Sequence, residues 1–400
     1  MTSEILIMTP TAIALAADSV VTIGNSKTYD GANKLFMLSN NPPSGIMIYN
    51  NANFYNIPME TIIKDFRKKM RRENIGKIED YKSKLEDYLK QIKEENQIQD
   101  IPLIELIKLF SNKLINEIKH QDENNPIEII KNQVEVSQDI QKKFEDIFLK
   151  NENIKKIYDK QMDLIMNHLN FNPKDYKNIM SLLKKFFISK IFLEQYIGVV
   201  IAGFDKNSLF PSFISFKIIT INEEVFIIED CENEEIGEKV IFLKPFAQTD
   251  VIDNFFSGID PMYYNQVISY FDKIITEYSN NLIKLTKSNL NIGNETSILG
   301  EINNEKENIM SNFITFLDDL KEKNSKLLIP LIASLPKDEL SNLAESLINI
   351  TSLKRKVQNG LETVGGEVDV ALITKGEGFI WTKRKHYFRP ELNPHFFDKE

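Results

Sequence analysis

Cysteine appears once in this chain, as Cys231, so no disulfide can form within it, and a reducing, cytoplasmic compartment is expected. Glu232 and Glu234 follow that thiol and give it no electropositive setting that would activate it. Histidine is nearly as scarce. His120, His168, His386 and His395 show no paired ligand spacing, so no metal and no other cofactor is expected. No apolar run approaches the length of a bilayer-spanning helix, and no membrane partner is expected. Positive charge is in deficit: 49 Lys and Arg against 58 Asp and Glu leave a formal net charge of −9. A nucleic-acid partner is therefore not expected. The runs Arg67-Lys68-Lys69 and Lys383-Arg384-Lys385 read as solvated faces.

What remains is a chain of 400 residues, 42% hydrophobic and 27% charged, enough to bury a large core or form more than one unit. Its start is the most informative part. Ile5 to Ala17 is apolar, and Ala14-Leu15-Ala16 looks like a signal-peptidase site. A secretory leader opens with basic residues, however, and this segment opens with Glu4 and is broken at Pro10-Thr11. Strand, turn and returning strand account for the same residues better.

Thr2 follows Met1 directly, a context that favours removal of the methionine. No propeptide stands before it, so aminopeptidase action alone is expected to expose it. An N-terminal threonine carries both a hydroxyl nucleophile and an α-amine that can act as its base. Asp18, in Ala16-Ala17-Asp18-Ser19, lies 16 positions after Thr2, and Lys34 lies 16 after Asp18. A lysine near the hydroxyl would ease its deprotonation by charge, and a carboxylate would hold the lysine charged and oriented. Read separately, Thr2 is only a second residue, Asp18 a turn aspartate and Lys34 an exposed strand lysine.

Together these positions, with a turn at Gly24 and an apolar strand after Lys34, resemble the start of proteasome β subunits and of the simpler bacterial threonine peptidase that works with an unfolding ATPase. The resemblance implies an α+β fold, the four-layer αββα sandwich of the N-terminal-nucleophile hydrolases. It implies catalytic roles for Thr2, Asp18 and Lys34, with Ser19 in support. Blocks 2–66, 196–279 and 338–385 carry it, including Gly198-Val199-Val200-Ile201-Ala202-Gly203-Phe204-Asp205. The expected organisation is a discontinuous core of residues 1–67, 196–279 and 338–390. A helical insertion at 68–195 is nearly free of glycine. A second, polar insertion spans 280–337, in which Asn289 to Lys306 reads as a mobile loop.

The pattern departs from the family at its loops. Tyr49 falls where the family has the glycine that donates to the oxyanion; its backbone N–H is the expected donor here, since such a donor need not be glycine. The family's Gly-Ser-Gly loop is replaced by Pro245-Phe246-Ala247-Gln248-Thr249. Its Asp-x-x-Ser-Gly-Gly turn is replaced by Leu361-Glu362-Thr363-Val364-Gly365-Gly366, where Glu362 and Thr363 offer the same groups one position displaced. Two functions follow. One is a threonine peptidase or amidohydrolase acting on a peptide, protein or small amide. The other is a catalytically inactive scaffold of the same fold, working through its insertions. Family members assemble into rings, so a homo-oligomer is expected by resemblance. No docking motif for a regulatory ATPase is recognisable.

Overall fold

The computed structural model describes residues 2–23, 27–55, 57–96, 110–116, 142, 152–168, 176–194, 196–222, 225–237, 241–289, 295–357 and 364–393. Strands come first: β1 (Ser3–Met8), β2 (Ile13–Ala17), β3 (Val21–Ile23), β4 (Lys27–Tyr29), β5 (Leu35–Asn40), β6 (Pro43–Asn50), β7 (Asn53–Phe54) and β8 (Ile57–Pro58). Helices α1 (Met59–Met70), α2 (Ile78–Asn96), α3 (Glu152–His168) and α4 (Tyr176–Glu194) follow. Then come β9 (Ile197–Phe204), β10 (Pro211–Asn222), β11 (Val225–Glu235) and β12 (Phe242–Ala247). Helices α5 (Asp250–Ser257), α6 (Pro261–Asn289), α7 (Glu295–Ala333) and α8 (Lys337–Val357) precede the hairpin β13 (Asp369–Thr374) and β14 (Gly378–Lys383). The fold is mixed α/β with antiparallel sheets, and among the described residues no helix is long and apolar enough to cross a membrane.

The chain forms two compact units. The first comprises residues 1–35, 208–211 and 235–400. Its five-stranded sheet runs β12-β1-β2-β13-β14. The hairpin that opens it closes at Thr9 and Ala12, whose backbones exchange hydrogen bonds of 2.9 and 3.4 Å across Pro10-Thr11. In β2 the side chains of Ala14 and Ala16 are small, and α8 packs there through Leu340, Ala344, Leu347 and Ile348, the i, i+4, i+7, i+8 stripe of an amphipathic helix. Ile5 and Ile7 of β1 join that core. Strand alternation turns Glu4, Leu6 and Met8 to the opposite face. Every residue of β1 and β2 is buried. Gly258, at φ 72°, ends α5, and its N–H donates to the Asn254 carbonyl at 2.8 Å, a left-handed cap that glycine adopts without strain. The Asn289 to Lys306 stretch, expected as a loop, is helical from Glu295 onward: α7 takes it into a helix of 39 residues. Its many Asn and Glu side chains are those of a solvated helix face as well as of a loop.

The second unit comprises residues 36–207 and 212–234, with sheet order β11-β10-β9-β6-β5. Met59, Ile62, Ile63 and Phe66 form the buried stripe of α1. Tyr81, Leu85, Leu89 and Ile92 of α2 share one core with α1 and with Ile46, Ile48, Val199 and Ile201 of the sheet. The helix α2 thus belongs to this unit's core, although it lies in the segment read from sequence as an insertion.

Candidate functional site

Among the described residues, Thr2, Asp18, Ser19 and Lys34 all lie in the first unit, where β1 begins. Thr2 is 4% exposed, and its carbonyl accepts from the Gln248 N–H at 3.2 Å as β12 ends. The next residue is tied to β2 twice. The Asp18 N–H donates to the Ser3 carbonyl at 3.1 Å, and the Ser3 N–H donates to Asp18 Oδ1 at 3.0 Å. Asp18 is fully buried. Its Oδ2 accepts from the N–H groups of Gly365 at 3.1 Å and Val20 at 3.4 Å.

Lys34 closes the arrangement. It is 6% exposed, and its ammonium donates to Asp18 Oδ1 at 2.7 Å and to the Val20 carbonyl at 2.6 Å. The lysine is no solvated strand side chain: two of its three donors are committed inside the protein. Asp18 Oδ1 therefore binds both Lys34 and the residue that follows Thr2, which fixes a positive charge at the start of β1.

Ser19 is buried, and its backbone joins the same knot. Its N–H donates to the Gly365 carbonyl at 3.1 Å and its carbonyl accepts from Ala32 at 3.0 Å. Its hydroxyl lies against Gly366, where a Cβ would stand 2.3 Å from Ser19 Oγ; at φ +73° that backbone is glycine's own. Tyr49 lies in the second unit, at the end of β6 opposite Gly198 on β9. Its ring covers that glycine so closely that a Cβ there would lie 2.2 Å from it, and it packs edge-on against Tyr196 with centroids 6.0 Å apart. Glu362, Thr363 and the Gly24 turn lie outside the described residues. Thr249 stands at the start of α5 with no side-chain hydrogen bond to that helix's N-terminus.

One residue of this region counted in the sequence only as a mark against a secretory leader. Glu4 lies inside β1, fully buried, with neither carboxyl oxygen hydrogen-bonded. Burial pushes its carboxyl well above the usual carboxylate range. The nearby Lys34 charge pulls it down and the Asp18 charge pushes it up, both less strongly than burial does. An acidic residue within Ser3-Glu4-Ile5-Leu6-Ile7-Met8 was the available signal. Buried polar atoms without partners are rare in folded proteins. Ser3 Oγ, both Glu4 oxygens and Ser19 Oγ are all of this kind, at this end of the sheet. Among the described residues no cluster of His, Cys, Asp or Glu has the arrangement of a metal site.

No protein-family model matches the chain, and no curated protein matches it. Solved structures do. One is Anbu (ancestral beta-subunit) from Yersinia bercovieri, at 9% identity and TM-score 0.30, covering 99% of this chain and 93% of that one. A second is the helical assembly of the Anbu complex from Pseudomonas aeruginosa, at 8% identity and TM-score 0.35, covering 99% and 92%. A third is Anbu from Hyphomicrobium sp. strain MC1, at 10% identity and TM-score 0.28, covering 100% and 97%. The chain is thus similar to Anbu proteins along nearly its whole length, at identities and scores too low to carry an argument about its chemistry.

Proposed function

We propose that the protein is an N-terminal threonine hydrolase of amide bonds, with Thr2 exposed by removal of Met1. The observation that carries this reading is the buried Lys34–Asp18 pair, joined through Asp18 Oδ1 to the Ser3 N–H, one residue from Thr2. The α-amine of Thr2 takes the hydroxyl proton, and Oγ1 bonds to the substrate carbonyl carbon. Lys34 lowers the cost of the developing negative charge. The carbon–nitrogen bond of the substrate then breaks, and the leaving amine departs with the proton. The ester left on Thr2 is hydrolysed by a water that the same α-amine deprotonates. Asp18 orients Lys34, Ser19 supports the turn at Gly365, and the Tyr49 N–H is the proposed oxyanion donor, with Glu362 and Thr363 as support. This reading carries with it the four-layer sandwich, the core of residues 1–67, 196–279 and 338–390 with its insertions, assembly of copies and a cytoplasmic peptide, protein or small-amide substrate.

The alternative, an inactive scaffold, is favoured by a different observation. Tyr263, Val267, Tyr270, Ile274 and Tyr278 are exposed at helical spacing along α6, the composition of a contact surface. Intact-mass spectrometry of untagged protein, before and after a β-lactone probe, separates the two. Loss of Met1 and one adduct on Thr2 is expected of the hydrolase. Retained Met1, or an unreactive free Thr2, would leave the scaffold.

A further inference from the structure

A carboxyl group enclosed in a sheet with no partner costs stability, so its presence there calls for a physical reason. Glu4 has neighbours that suggest one. It is two positions along the chain from Thr2, which stands immediately before β1 with its carbonyl accepting from the Gln248 N–H just past β12. Directly opposite Glu4 are Phe246 on β12 and Ala17 on β2, both apolar. The charges near it are few. Asp18 and Lys34 act on it electrostatically. Lys244 on β12 is opposite Leu6, on the Glu4 face, and lies over the Phe246 ring, 5.9 Å from its centroid. Asp369 on β13 is opposite Ala17 and is paired with Lys385. Asp369 is paired with Lys385 and Lys34 with Asp18, whereas neither Glu4 oxygen accepts a hydrogen bond and the Lys34 charge acts on it without a direct contact.

Resting on the Thr2 reading, we propose that Glu4 is a positioning residue of the site: its buried carboxyl acts through Lys34 and sets how much of the lysine's charge reaches the Thr2 hydroxyl. With Glu4 neutral, Asp18 alone balances Lys34, and the enclosed pair carries no net charge. Ionised, Glu4 adds a second negative charge beside one ammonium. The field that eases deprotonation of Thr2 is then offset, and the nucleophile weakens as pH rises through the Glu4 ionisation. Burial holds that ionisation above the ordinary carboxylate range, so the neutral form extends to higher pH.

The test uses full-length protein with 13C-labelled lysine, as wild type and as Glu4→Gln, titrated from acid to alkaline pH. The Lys34 side-chain resonance is assigned by its loss in Lys34→Arg. β-Lactone labelling of Thr2 is timed across the same range. The expected wild-type Lys34 resonance moves in an additional step, absent in Glu4→Gln, and the wild-type to variant ratio of labelling rates falls about tenfold across that step. Glu4→Met, also uncharged at every pH, must behave as Glu4→Gln does and serves if the amide disturbs folding. A Lys34 titration identical in wild type and variant would overturn the proposal while leaving a labelled Thr2 intact. Absence of labelling at every pH would overturn the hydrolase reading, and the Lys34 step would still decide whether Glu4 acts on the lysine.

Discussion

The ammonium of Lys34 lies 2.7 Å from Asp18 Oδ1, and both groups are shut away from solvent. A pair in that setting is costly to break from one side, because the remaining charge is left in a medium that solvates it poorly. Removing Lys34 should therefore affect both folding and chemistry. Lys34→Met is expected to destabilise the protein by about 3 kcal/mol, the lower end for a broken buried pair, since backbone donors still reach Asp18. It should also slow β-lactone labelling of Thr2 on the order of 100-fold. Denaturant unfolding and timed mass spectrometry measure the two effects. Labelling at the wild-type rate would remove Lys34 from the mechanism.

Glu4 makes stability depend on pH in a direction opposite to that of a paired carboxylate. Its folded ionisation lies above the ordinary value near 4.5, so the folded state holds the proton that the unfolded chain releases. The stability this contributes is fully present below about pH 4.5 and is lost as pH rises through the folded ionisation. Glu4→Met should remove that slope and leave the protein about 1–3 kcal/mol more stable than wild type at pH 8, the cost of an enclosed polar group without a partner. Parallel unfolding curves from pH 5 to 9 check this, and equal slopes for the two proteins would contradict it.

Gly366 brings the 365–366 turn against Ser19. An alanine there would need a left-handed backbone, at a cost of roughly 1–2 kcal/mol, and would also overlap Ser19 Oγ. Gly366→Ala should thus lower the unfolding midpoint. It should also loosen Asp18, because the neighbouring Gly365 N–H is one of its donors. A variant as stable as wild type would show that the turn relaxes without consequence.

In the second unit, Gly198→Ala tests how tightly Tyr49 is held. The added methyl would sit 2.2 Å from the tyrosine ring, which must move. Overpacking of this kind costs about 1–3 kcal/mol. Tyr49→Ala in the same background should recover part of the loss, and a double-mutant cycle would read the coupling. Additive effects would mean that the ring and the glycine are independent.

The opening hairpin was legible in the sequence because Pro10-Thr11 separates two short apolar runs whose strands the structure places at Ser3–Met8 and Ile13–Ala17. Asp18 and Lys34 stood out only through the resemblance of their spacing to a known family; local chemistry alone marks them as a turn aspartate and a strand-edge lysine, and their direct pairing is seen only in the folded chain. Other features were hidden. The helical spacing of Tyr81, Leu85 and Leu89 announces a helix, yet spacing cannot say that its apolar stripe completes a sheet's core. The stretch after Glu295 has a composition shared by solvated helices and loops, and the helix prevailed. Glu4 read as a mark against a leader peptide; its enclosure depends on strands from distant parts of the chain. Tyr49 shows the same limit, since only the pairing of β6 with β9 puts its ring over Gly198.

Asp18 receives four N–H groups, from Ser3, Lys34, Val20 and Gly365, two on each oxygen. Such a group is a pure acceptor in a wholly donating shell. Asparagine matches it in outline, but its amide nitrogen would confront two donors with hydrogens of its own, and no flip of the amide relieves both sides. The isosteric replacement is therefore poorly tolerated here, and the position is a hinge pin for three segments, through which a change at the Gly365 turn is felt at the residue behind Thr2.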